Sequence, residues 1–165
     1  MYRSSTRLPL FILIAYGLLF AGFGSAQAGT LNIVVITAPQ APRLAFDRYT
    51  LRNVFLKKIF VDKDGQRLIP VNLPAGSPLR KAFAKQVTHL PDAQQDDYWN
   101  RQYFQGVSPP YVLASQQAVV RFVAATPGAI GYVVSCYVDS SVRVVFELTL
   151  PSATAVVACP EHASP

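Results

Sequence analysis

Residues 8–24, LPLFILIAYGLLFAGFG, carry no charged side chain, and this run decides how much of the chain has to fold in water. It follows Arg3 and Arg7, with no acidic residue before it, and leads to Ala26-Gln27-Ala28. That small-x-small pattern is the one signal peptidase reads. A helix that crosses a membrane needs about 20 apolar residues, whereas this run has 17, with Pro9 near one end and two glycines near the other. Residues 1–28 are therefore expected to be a cleaved signal peptide rather than a retained anchor. No second apolar stretch of spanning length follows, so the exported chain is expected to be soluble, with no membrane span.

Taking 28 residues from 165 leaves 137, the size of one ordinary domain. Arg3 and Arg7 leave with the signal, so 13 of the 15 basic residues remain against 9 acidic ones, a net charge of +4. The charge is mild and spread along the chain. It is compatible with an anionic ligand or surface without demanding either, and export disfavours nucleic acid as a partner. Cys136 and Cys159 both lie in the exported part, where an oxidising compartment favours a disulfide and only one intramolecular pairing exists. Such a bond would contribute about 3 kcal/mol in the chain-entropy account. Two free thiols or an intermolecular bridge are the alternatives.

Residues 31–37 (LNIVVIT) are apolar and β-branched, which predicts a buried strand. Leu51, Val54, Phe55 and Ile59 share one helical face, which predicts a helix from Asp47 or Thr50 to Ile59. Residues 68–73 (LIPVNL) predict a short strand, placed at an edge or paired irregularly because of Pro70. Ser77 and Pro78 suit the N-cap and first position of a helix that runs to about Thr88. Further helices are expected over 92–104 and from Ser115 to about residue 125. Residues 129–138 and 142–150 read as two strands joined by Asp139-Ser140-Ser141 in a hairpin. The order predicts an α/β fold, with helices packed on a mixed sheet of about four strands.

No metal-ligand spacing, phosphate-binding glycine loop or nucleophile elbow occurs, so no catalytic residue, metal or cofactor is expected. Asp96 and Asp97 are adjacent and point apart on a helix, as a solvated face would. His89 reads as a helix-end residue. The residues with chemical logic are Gly76, Ser77 and Arg80, because a helix start offers free N–H groups and the positive end of the dipole to an anion. The alternative is that Arg80 and Lys81 extend into water. Tyr98, Trp99, Tyr103 and Phe104 form an aromatic cluster, expected to pack on the core rather than to serve as a binding platform.

Several blocks occur in a recognisable order: Asn53-Val54-Phe55-Leu56-Lys57-Lys58, Ile69-Pro70-Val71-Asn72, Gly76-Ser77-Pro78-Leu79-Arg80-Lys81-Ala82-Phe83, and Thr126-Pro127-Gly128-Ala129-Ile130-Gly131-Tyr132-Val133. With Tyr98-Trp99-Asn100 and Phe104-Gln105-Gly106, they resemble the periplasmic phosphate-binding proteins of ABC transporters, in a short, single-lobe form. The resemblance covers about residues 50–135. It implies a single periplasmic-binding-protein-like lobe over 29–150, followed by a tail, 151–165, tethered by the disulfide. It also implies a periplasmic protein that binds phosphate or another oxyanion weakly at Gly76, Ser77 and Arg80, in connection with phosphate uptake or sensing. Pro78 and Leu79 stand where the family has Gly and Thr, and the family's second lobe has no counterpart. The alternative is a periplasmic interaction or sensory-accessory protein, with a periplasmic or membrane protein as partner, that keeps the fold without a small anion. Protein recovered from the periplasm is expected to begin at Gly29. Intact-mass measurement checks this, and recovery of residues 1–28 in the membrane fraction would contradict it.

Overall fold

The computed structural model describes residues 32–40, 44–149 and Cys159. The expected signal segment 1–28 and the rest of the tail 151–165 lie outside the described residues. In chain order the elements are β1 (Asn32–Thr37), α1 (Arg48–Phe55), β2 (Ile69–Asn72), α2 (Pro78–Phe83), α3 (Asp92–Tyr103), β3 (Tyr111–Val112), α4 (Gln116–Ala125), β4 (Ala129–Val134) and β5 (Arg143–Thr149). The mixed sheet has five strands in the order β3-β2-β4-β1-β5, so the α/β expectation holds and the strand count rises by one. The addition is β3, whose two residues follow Pro109-Pro110 and are too few to leave a periodic signal.

The β-branched run makes β1 an interior strand. Ile33, Val34, Val35 and Ile36 are all buried, and β1 pairs antiparallel with β4 on one side and β5 on the other. The expected β4–β5 hairpin is therefore wrong. Direct pairing of β4 with β5 would have taken the place that β1 occupies between them. The chain instead ends β4 early, through a tight turn at Ser135–Tyr137, and turns again where Asp139 Oδ1 accepts the Ser141 N–H at 2.8 Å. β5 returns on the far side of β1, at the edge of the sheet, with largely half-exposed residues.

β2 runs parallel to both β4 and β3, so it is not an edge strand. Pro70 is tolerated for a local reason. Ile69 donates its N–H to Gly128 O on the β4 side at 2.9 Å, so the missing donor of Pro70 faces β3, whose pairing begins only at Val71.

Helices cover both faces of the sheet, and two adjacent residues of β4 show it. A Cβ on Gly131 would meet Val119 Cγ1 at 2.5 Å and Val123 Cγ2 at 3.1 Å, both from α4. Tyr132 points the other way, as successive strand residues must. It stacks on Phe83 of α2 with ring centroids 3.9 Å apart and lies 5.8 Å from the Phe55 ring of α1. Gly128, in the left-handed region at φ 80°, leaves no room for a side chain, since a Cβ there would overlap the Arg67 carbonyl oxygen.

Side chains cap the helix starts. Asp47 Oδ1 accepts the Thr50 N–H at 2.7 Å and Ser115 Oγ accepts the Ala118 N–H at 3.2 Å. α1 stops at Phe55, short of Ile59, because Lys57 turns into the left-handed region at φ 56°. α2 continues through a wider turn over Ala84–Thr88, which ends at left-handed His89, whose N–H donates to Ala84 O at 2.8 Å. Among the described residues no helix is long and apolar enough to cross a membrane. Cys136, just past β4, is bonded to Cys159 with Cα atoms 5.9 Å apart, the intramolecular pairing expected. Gly131→Ala is expected to destabilise the domain by about 1–3 kcal/mol, because the stiff valines of α4 cannot move aside without strain. A lower denaturant midpoint with an unchanged slope is the expected reading.

Candidate functional site

In open sheets with parallel strands, ligands collect beyond the carboxyl ends of the strands. Here β2 and β3 end side by side, with Leu113 donating its N–H to Asn72 O at 2.8 Å. The chain leaves β2 through residues 73–77 into α2 and leaves β3 through 113–115 into α4, so two capped helix starts stand on the same edge. Gln116 Oε1 accepts the Val134 N–H at 2.7 Å and ties the second start to the end of β4.

Ser77 caps α2. Its N–H donates to Pro74 O at 2.9 Å, and its Oγ accepts the Arg80 N–H at 3.4 Å, a long contact for a hydrogen bond. Gly76 is exposed, and a Cβ there would meet nothing within 4 Å. The Arg80 side chain turns back toward the sheet. Nη1 donates to Leu73 O at 2.8 Å and Nη2 to Gln95 Oε1 at 3.0 Å. Buried Gln95 in turn donates through Nε2 to Leu90 O at 3.2 Å. Arg80 therefore does not extend into water. It joins the end of β2 to the start of α3, and Lys81 beside it is exposed.

Beside this bridge lies a cavity of about 20 Å³ lined in part by Asn72, Arg80, Phe83, Gln95 and Trp99, room for one water molecule and not for a tetrahedral oxyanion. Behind it, Tyr132 donates its hydroxyl proton to Asn72 Oδ1 at 2.9 Å. Burial pushes the Tyr132 phenol well above its usual range, so the ring stays protonated and holds Asn72 in place. The open outer side of this edge carries exposed Gly76 and half-buried Ser77, with Arg80 beneath them.

Gly76, Ser77 and Arg80 are thus together at the start of α2, but Arg80 reaches its partners through residues that carried no signal. Gln95 lies fifteen positions away in a polar run. The Asn72–Tyr132 pair could have been suspected, since both fall in the blocks that carried the resemblance. Of the aromatic cluster, Tyr98 donates its hydroxyl to Leu56 O at 2.8 Å and meets Trp99 edge to face at 4.9 Å. Tyr103 and Phe104 do not pack on the core. They are 69% and 89% exposed, at the carboxyl end of α3.

The geometry makes Arg80 a stabilising residue. Arg80→Ala removes the guanidinium hydrogen bonds to Leu73 O and Gln95 Oε1 and is expected to cost about 1.5–3 kcal/mol, the range for hydrogen bonds to a charged group. Lysine cannot span both acceptors, so Arg80→Lys restores little. A double-mutant cycle with Gln95→Ala should be non-additive in thermal or denaturant melts.

No protein-family model matches the chain, and no curated protein is detectably similar in sequence. Solved structures do match its fold. An ABC-type phosphate transport receptor from Vibrio cholerae aligns over 70% of this chain and 46% of its own, at 20% identity and a TM-score of 0.57. A putative phosphate ABC transporter substrate-binding protein with bound phosphate, from Clostridium perfringens, aligns over 70% and 45%, at 21% identity and a TM-score of 0.57. PstS from Borrelia burgdorferi aligns over 70% and 47%, at 14% identity and a TM-score of 0.54. The chain therefore has the α/β fold of these receptors and spans a little under half of their length, as a short single-lobe form does.

Proposed function

We propose that this is an exported, solute-binding-like protein of the periplasm that engages phosphate or another oxyanion weakly, in connection with phosphate uptake or sensing. The observation that carries the reading is the open start of α2 at the carboxyl edge of the parallel strands, in a lobe whose fold is that of phosphate receptors. Gly76 and Ser77 supply accessible backbone and a hydroxyl. Arg80 supplies charge, and a guanidinium has five N–H donors, of which Leu73 and Gln95 take two. Binding at such a site needs no catalytic residue. With a single wall and with Pro78 lacking one donor, the affinity belongs in the millimolar to high-micromolar range, about 4 to 6 kcal/mol.

A second reading has its own support. Arg80 is committed to the fold, and the neighbours' remaining half, over 50% of each chain, has no counterpart here. An exported interaction or sensory-accessory protein that keeps the fold and binds no small anion fits those facts.

Calorimetry with phosphate and sulfate at low ionic strength separates the two. The oxyanion reading expects saturable heat that Gly76→Asp abolishes, since a carboxylate at this open position repels an anion while disturbing no packing. Ser77→Ala should weaken binding and cost about 1 kcal/mol of stability through the lost cap. No heat with either anion from folded protein would leave the interaction reading.

A further inference from the structure

The amino ends of β2 and β3, at the opposite end of the sheet, hold a second concave feature. The turn after α1 and the loop before β3 enclose a groove of about 320 Å³, within the range of small-ligand sites. Lys57 and Arg67 both line it, near enough that the Arg67 charge acts on Lys57. No carboxylate is among its described lining residues. Lys57 occupies the left-handed position that closes α1, at φ 56°, where glycine is the usual residue. A lysine there strains the backbone, and this lysine lines the groove. Burial, and after it Arg67, hold the Lys57 ammonium below its ordinary pKa.

The walls are apolar and wet. Phe60 and Tyr111 line the groove yet are 50% and 64% exposed, above a floor at buried Leu68. Of the seven exposed large apolar side chains among the described residues, Phe60 and Tyr111 line the groove itself, and Val61 and Val112 are their chain neighbours. Exposed apolar surface concentrated around one concavity marks a binding site. Two neighbouring cations set the sign of its occupant.

We propose that this groove is a binding site for a small amphipathic organic anion, a carboxylate or sulfonate on an aromatic or aliphatic body. The acid group lies against Lys57 and Arg67, whose fork geometry suits a carboxylate, and the apolar body lies between Phe60 and Tyr111. The site is separate from the start of α2, so inorganic oxyanions bound there leave it free.

The test is a titration of the ¹⁵N-labelled exported protein with 2-naphthoate, followed by amide chemical shifts. Saturable shifts confined to 57–68 and 106–111 are expected, with a dissociation constant of about 0.1–1 mM. The neutral amide of the same ring should bind at least about tenfold more weakly, and inorganic phosphate should not displace the naphthoate. Lys57→Gly should raise the melting temperature by relieving the left-handed strain while weakening binding about tenfold, a pairing that a merely structural lysine would not produce. Arg67→Gln, at an exposed position, should weaken binding several-fold in a folded protein. Equal affinity for the acid and the amide, shifts centred elsewhere, or no shifts up to about 5 mM would overturn the proposal.

Discussion

The Phe83 and Tyr132 rings lie 3.9 Å apart and within 3° of coplanar, and the position of α2 follows from that contact. Tyr132 is held from the sheet side by its place in fully buried β4 and by its hydroxyl bond to Asn72. Phe83 is held from the helix side, and Phe55 closes on its edge at 4.7 Å. An aromatic pair of this kind adds about 0.5–1.5 kcal/mol beyond the area it buries. Its larger consequence is directional. With the last turn of α2 pinned over β4, its first turn comes to lie at the end of β2. Ser77 then starts the helix at the carboxyl edge, and Arg80 reaches Leu73.

The two glycines of the TPGAIGYV block serve the same end on the opposite face. Gly128 lets the chain turn in the left-handed region while the Arg67 carbonyl passes over it. Gly131 lets α4 approach β4 closely. Without that approach α4 would stand further off the sheet, and Gln116 could not reach the Val134 N–H. Both helix starts at the carboxyl edge are therefore positioned by packing at some distance from the edge itself.

This division explains what could be read along the chain. The helix starts at Ser77 and Ser115 were legible because each hydroxyl binds an N–H three residues on, inside the window that a local pattern samples. The burial of residues 33–37 was legible from side-chain type alone. The partners of β4 and β5 were not, because the choice depends on β1, about a hundred residues earlier, taking the place between them. The exposure of Tyr103 and Phe104 was hidden for a similar reason, since an apolar pair at a helix end does not reveal whether another element packs over it. At the candidate site, Gly76 and Ser77 were visible as helix-start chemistry. The engagement of Arg80 was invisible, because its acceptors are a backbone carbonyl and a glutamine on another helix.

Parallel strands also give a sheet unlike ends, and the charges here follow that asymmetry only in part. At the carboxyl edge the helix starts present positive dipole ends, and the nearby guanidinium is already bonded to neutral acceptors. At the amino end α1 presents its negative dipole end, which favours a cation there by about 0.3–1 kcal/mol. Lys57 sits at that point, yet burial and the Arg67 charge still lower its pKa. The dipole therefore does not compensate the pair. Fold contacts have taken two of the guanidinium donors of Arg80, whereas no carboxylate is among the described residues that line the groove beside Lys57 and Arg67. The stronger demand for an anion lies away from the edge where the fold would place one.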